Sequence, residues 1–247
     1  SSAASDVYKR QRKCCRASRR NQRYGLAPLA RQGIAIVLSD SSDIDWTDRQ
    51  VELLDAALAL LVALGRAPTM TEVAREASCS KETLYKWFGG RDGLLAAMVR
   101  RQASKVRGLP LGADGLDAAA LVLRLEVFAR DWLQVIHGQT SVALNRLAVG
   151  QAGHQRHGLG DIMLDNGPAA VRSRIKTLLE EGRSLGLLAF DSPDEAFGAL
   201  FGLVVRDTQI RLLLGEKLNA DDALVEHDAR LAVRQFLTLY GTTKIRP

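Results

Sequence analysis

Residues Thr69 to Arg91, TMTEVAREASCSKETLYKWFGGR, decide how this chain is read. Thr69 or Thr71 offers a hydroxyl to the first amides of a helix that runs to Ala77, with Val73, Ala74 and Ala77 on its inner face. Ser78 and Cys79 make a turn. Ser80, with Thr83 three residues on, caps a second helix whose Leu84 and Phe88 share one face, and Gly89 and Gly90 stop it. The opposite side of that helix carries Lys81, Glu82, Lys86 and the hydroxyl of Thr83. A recognition helix divides its surface in this way between its own core and a DNA major groove. Ala74 is small where two crossed helices touch, and Ala74, the turn at Ser78 and Leu84 stand at helix-turn-helix spacing. Such a turn usually has Gly because its backbone tends to positive φ; Ser78 there is expected to cost about 1 kcal/mol. By spacing alone, the same residues also suit an αα-hairpin inside a helical bundle.

With its flanks, the stretch resembles the DNA-binding domain of the tetracycline-repressor (TetR) family of transcription regulators. The likeness covers Val51–Leu95: LLDAALALLVALG as first helix, TMTEVAREA as second, SKETLYKWF as third, and GGRDGLL opening a fourth. Farther on, FDSPDEA and GLVVRDTQIRLLLGE resemble one of the family's C-terminal types. The resemblance implies that Thr69, Tyr85 and Arg91 bind phosphates. It also implies that Thr71, Lys81, Thr83 and Lys86 reach base edges, with Ser80 beside them at the start of the recognition helix. It implies a homodimeric regulator of the bacterial cytoplasm and nucleoid, most often a repressor, that leaves a palindromic double-stranded operator when a small-molecule effector binds its C-terminal domain. Lys86 and Trp87 stand where the family varies, so no operator sequence follows. The competing class is a helical small-molecule carrier or interaction protein whose helix-turn-helix is structural only. Lys81, Glu82 and Lys86 with Arg91 speak against it, since a structural hairpin has no use for such a surface.

Upstream, Thr47 and Gln50 form a capping box with Asp48 in the first turn. Val51, Leu54, Leu58, Leu61 and Val62 then recur at helical spacing up to a stop at Gly65. Charge separates sharply: residues 37–65 hold one Arg against six acids, whereas 66–107 hold nine basic residues against four acids. The positive patch therefore sits on the helix-turn-helix and the helix after it, where phosphates would lie. The first 36 residues are a different material, with nine Lys or Arg against Asp6 alone, so the net charge of +6 comes entirely from them. Asp6–Gln11, DVYKRQ, resembles the in-frame translation of a sequencing adaptor, and no initiating Met is present. Residues 1–45 are accordingly expected to be a disordered basic arm and acidic leader, partly artefactual, with the natural start near Val37 or Leu38.

Downstream, a helix from Asp92 to about Val106 leads to a loop, Gly108–Gly115, taken as the boundary between a DNA-binding domain over 46–107 and a helical domain over 117–241. The latter is expected to contain helices at Asp117–His137, Ser141–Val149, Pro168–Leu185, Pro193–Leu214 and Ala220–Tyr240, with a Gly-rich loop between the second and third. No strand alternation interrupts them, so the fold class is all-α. Phe128 and Trp132 lie one turn apart on the first of these helices. With Arg124, Asn145 and Met163 they are candidates for an effector pocket between helices. The plainer reading is that both aromatics fill the core. The last two helices are apolar over much of their circumference. Gly198 and Gly202 at i, i+4, with Val205 and Phe236, are expected at a dimer seam where helices of two subunits meet.

Other chemistry finds little support. There is no GxSxG elbow, no P-loop and no dinucleotide fingerprint, so no enzyme and no cofactor are expected. His154 and His157 have a metal-compatible spacing near Asp161 but no third ligand at a regular interval, so no metal is expected. His137, ending a helix, gains from the dipole. Cys14 and Cys15 are adjacent and Cys79 faces the core, which gives no disulfide framework and fits a reducing compartment. The longest apolar run, Ala196–Val205, is about half of a bilayer span.

Overall fold

The structure is a computed structural model and describes residues 46–107, 115–152, 158–218 and 221–246. The basic arm, the leader, residues 108–114 of the boundary loop, and His154 and His157 lie outside these. Among the described residues there is no strand, only an isolated bridge between Leu188 and Gly241.

The first four helices are α1 (Asp48–Leu64), α2 (Met70–Glu76), α3 (Lys81–Phe88) and α4 (Arg91–Ala103). Their starts are where the side chains place them. Thr47 and Gln50 close a capping box on α1, Thr69 and Glu72 close another on α2, and the Ser80 hydroxyl accepts from the Thr83 amide on α3. Each such cap contributes about 1 kcal/mol by giving otherwise orphaned amides a partner. Leu53, Leu54, Leu61, Val73, Leu84 and Met98 are wholly enclosed in the core these helices share. Leu144, Ala148 and Leu159 from farther along the chain complete that core.

The remaining helices are α5 (Ala118–His137), α6 (Gln139–Gln151), α7 (Leu159–Asn166), α8 (Pro168–Ser184), α9 (Pro193–Val205), α10 (Thr208–Leu213) and α11 (Asp222–Tyr240). A second core, centred on Phe128, Leu121, Leu125, Ile175, Leu200 and Phe236, joins α5, α8, α9 and α11. The end of α11 is pinned to the segment after α8, since the Ala189 amide donates to the Tyr240 carbonyl at 2.8 Å and Thr242 to Leu187 at 3.0 Å.

Three expectations need correction. The Gly-rich segment after α6 contains a helix, α7, in which Gly160 is tolerated because the helix packs against α4 and α6. The helix expected over Pro193–Leu214 is two helices, broken at Arg206, whose backbone sits at φ 47° and ψ −133°. Finally, Val205 and Phe236 are 3% and 0% exposed within the single chain, so they have no surface left for a partner; they are core.

Candidate nucleic-acid interface and internal cavity

The turn between α2 and α3 closes as a Schellman motif. The Cys79 amide donates to the Ala74 carbonyl at 2.9 Å and the Ser78 amide to Arg75 at 3.3 Å, with Ser78 in the left-handed region at φ 48°. The sequence placed a non-glycine residue at this strained position, and the backbone adopts the conformation regardless. Arg49 of α1 supports the turn by donating from Nη2 to the carbonyl of Ala77.

With the turn fixed and Leu84 buried, α3 shows Lys81, Glu82, Tyr85 and Lys86 to solvent, with Thr83 half-buried at the edge. Thr71 on α2 and Arg91, the first residue of α4, are also exposed. Thr69 differs from the others. Its hydroxyl donates to a Glu72 carboxylate oxygen at 2.9 Å, and its amide donates to the same oxygen at 2.8 Å. Its donors are thus committed inside the capping box. Arg66 holds that carboxylate from the other side at 2.6 Å and 3.1 Å. The Arg66 hydrogen bonds first, and those from Thr69 second, hold Glu72 down to about 2.

From this surface α4 runs inward. In its last turn, Arg101 grips Asp55 of α1, and Arg100 Nη1 donates to Asn166 Oδ1 at 3.1 Å. At its end, Arg174 of α8 donates to the Ala103 carbonyl at 2.6 Å. Gln102, only 6% exposed, faces a cavity of about 110 Å³ between α4, α5, α6, α7, α8 and the α9–α10 pair. Trp132, Asn145 and Met163 line it; Gln102, Phe201 and Gln209 line it too and had no signal in the sequence. Trp132 stacks on Phe197 with ring centroids 5.8 Å apart and meets Phe201 at 5.4 Å, so it is held on one side and open to the cavity on the other.

Two of the five pocket candidates lie elsewhere. Phe128 touches Trp132 edge-on at 5.7 Å but is fully enclosed, which makes it core. Arg124, one turn farther back on α5, is buried away from the cavity, and its Nη1 has no hydrogen-bond partner among the described residues. His137 also departs from expectation. Burial lowers its pKa against the opposing pull of Asp228, so desolvation outweighs the benefit of its place at a helix end. Two larger grooves, of about 760 and 660 Å³, open to solvent and are lined by charged residues such as Arg146, Lys217, Glu226 and Arg230. Gly198 and Gly202 lie exposed on α9, with open space beyond where a Cβ would project. No helix among the described residues is long and apolar enough to cross a membrane.

Comparison with known proteins places these features. Residues 53–98 match the model of bacterial regulatory proteins of the tetR family, and residues 123–242 match that of the C-terminal domain of AefR-like transcriptional repressors. A solved TetR transcriptional regulator from Agrobacterium tumefaciens is 46% identical, with a TM-score of 0.67 over 81% of this chain and 97% of that one. The flavonoid-responsive regulator FrrA is 26% identical, with a TM-score of 0.59 over 80% of this chain and 100% of that one. A TetR-family regulator from Mesorhizobium loti shares the fold at 22% identity, with a TM-score of 0.60 over 78% of this chain and 97% of that one. Among curated proteins, none matches.

Proposed function

The chain belongs to the TetR family of DNA-binding transcriptional regulators, and from that premise we propose that it is a homodimeric repressor that leaves a palindromic operator when a small molecule fills the cavity beside Trp132. Regulators of this family are not enzymes, and neither is this chain.

One observation carries the ligand-responsive part of the reading. A single helix, α4, has Arg91 exposed at its start beside the recognition helix and Gln102 in the cavity wall near its end. A molecule in the cavity bears directly on the element that positions the DNA-facing surface. For release, that molecule must bind better to the arrangement in which two recognition helices no longer match successive major grooves. The small-molecule response of FrrA supports the same reading for its relative here.

On this reading, residues 46–107 form the DNA-binding part and 117–241 the effector and dimer part, and the protein works on the nucleoid in the bacterial cytoplasm. Thr71, Lys81, Thr83 and Lys86 read base edges, whereas Tyr85 and Arg91 hold phosphates. Thr69 joins the phosphate contacts only where a phosphate draws its donors away from Glu72. The open face at Gly198 and Gly202 receives the same face of a second subunit. The test is selection of bound DNA from a random pool by the full chain. The expected product is a palindrome with half-sites roughly 34–36 Å apart. Recovery of no preferred sequence would leave the helix-turn-helix a structural hairpin.

A further inference from the structure

The recognition helix α3 carries one acid, Glu82, and no role has yet been found for it. Glu82 is the second residue of the helix and exposed, with Lys81, Thr83, Tyr85 and Lys86 around it. Its own amide first, and the Ser80 hydroxyl second, hold its carboxyl below the ordinary carboxylate value, so at neutral pH it is an anion. Pairing along the helix does not occupy it. Lys86 stands one turn on, where Glu and Lys pair readily, yet among the described residues Glu82 makes no ion pair with it. Glu72 on α2 is the contrast, since Arg66 at 2.6 Å and the donors of Thr69 take up its carboxylate.

The first residues of a recognition helix are the ones that meet base edges. A duplex brings its phosphates to this surface, and an unpaired carboxylate there weakens binding to every sequence alike. That cost is offset only where the anion accepts a hydrogen bond. In the major groove, guanine N7 and O6, adenine N7 and thymine O4 are acceptors and repel it, which leaves the amino groups of cytosine and adenine. Adenine sets N7 beside its amino group, whereas cytosine presents its amino group with no acceptor on the same edge. Building on the DNA-binding reading above, we propose that Glu82 selects cytosine at one position of each half-site, its carboxylate accepting from the N4 amino group and turning away the other three bases.

The experiment selects DNA from a random pool with the full chain and with its Glu82→Ala and Glu82→Gln variants. Operators carrying each of the four base pairs at the affected position are then titrated, and circular dichroism melts establish that both variants fold. The expected wild-type palindrome holds one cytosine per half-site, preferred by roughly tenfold or more, that Glu82→Ala no longer requires while every other position is kept. Glu82→Ala also binds scrambled DNA more tightly than the wild type at low salt, an advantage that shrinks as salt rises. Glu82→Gln, whose amide matches adenine N6 and N7, moves the preference from cytosine to adenine. An acid in the first turn also suits the helix dipole, and that role alone leaves the base preferences untouched. The same motif from wild type and Glu82→Ala therefore overturns the inference. Preference lost at every position overturns it too, since Glu82 then only positions the helix, and so does a lost preference for any base but cytosine. These results spare the DNA-binding reading, whereas a wild-type pool with no preferred sequence takes down both.

Discussion

Arg101 holds Asp55 in a two-pronged grip, Nε to Oδ1 at 3.0 Å and Nη2 to Oδ2 at 2.7 Å, and so fixes α4 against α1. The Asp55 side chain is 44% exposed and that of Arg101 21%, so solvent screens the pair. Asp55→Asn is therefore expected to lower stability by only about 0.5–1 kcal/mol at low salt. The check is urea unfolding at low and high ionic strength. A loss that salt does not shrink would show that packing, not charge, joins the two helices.

Ser78 sits at φ 48° in the Schellman turn, where a Cβ is strained and glycine is at ease. Ser78→Gly should raise stability by about 1 kcal/mol, or roughly 2–4 °C in Tm for a chain of this size. Thermal melts by circular dichroism decide the matter, and an unchanged or lower Tm would mean that the Ser78 side chain offsets its own strain.

On the proposed reading, the exposed residues of the recognition surface separate into two roles. Lys86→Ala is expected to weaken the selected operator by about 1–3 kcal/mol and relax preference at one base pair, while Arg91→Ala weakens all sequences alike and flattens the salt dependence. Binding titrations on operator and scrambled DNA distinguish the two. Uniform loss from both variants would assign Lys86 to phosphate.

At Gly202 a Cβ meets nothing within 4 Å in the single chain, so a larger side chain there does not disturb the subunit's own packing. Gly202→Leu should leave the subunit folded, and even gain helix propensity of about 1 kcal/mol. It should at the same time dissociate the dimer and abolish operator binding. Sedimentation showing an intact dimer in this variant would move the seam to another face.

Glu72 is held down to about 2 from the ordinary 4.5 by Arg66 and by the Thr69 donors. Because the folded value lies below the unfolded one, the capping box contributes its full stability above pH 4.5 and loses it as pH falls towards 2. The stability gap between wild type and Glu72→Gln should thus be open above that window and close through it. A gap that persists under acid would show that Gln cannot replace Glu72 for a reason other than charge.

Legibility followed the range of the forces involved. The starts of α1 and α3 were written in Thr47 and Ser80, each of which acts on an amide three residues away, whereas sequence alone left α2 to start at Thr69 or Thr71 and the structure shows Thr69 as the cap. The break at Arg206 lies in GLVVRDTQI, with neither Gly nor Pro at the kink. It is held by distant partners: Asp228 on α11 at 3.6 Å from Arg206, and Arg146 on α6, which donates to the Leu212 carbonyl at 2.7 Å. No local pattern encodes such contacts. The candidate site was legible to the same degree. Trp132, Asn145 and Met163 were found as an aromatic and two neighbours from adjacent helices. The stripe that held Trp132 also held Phe128 and Arg124, and helical periodicity cannot say which turn of a buried face meets a void. Gln102 was hidden for another reason, since a glutamine near the end of a basic helix reads as surface until its neighbours bury it.

If the cavity beside Trp132 is the effector site, the lack of Lys, Arg, His, Asp and Glu among its described lining residues also fixes how acidity enters the response. A weakly acidic guest is admitted only as its protonated fraction. Each pH unit above the guest's own pKa therefore lowers its apparent affinity roughly tenfold, although no described residue of the cavity wall is ionisable. The same neutral species is the one that partitions through hydrocarbon. What the cavity counts is then the share of a compound that equilibrates passively between compartments, and two acids present at equal total concentration would be registered in proportion to how little each is ionised.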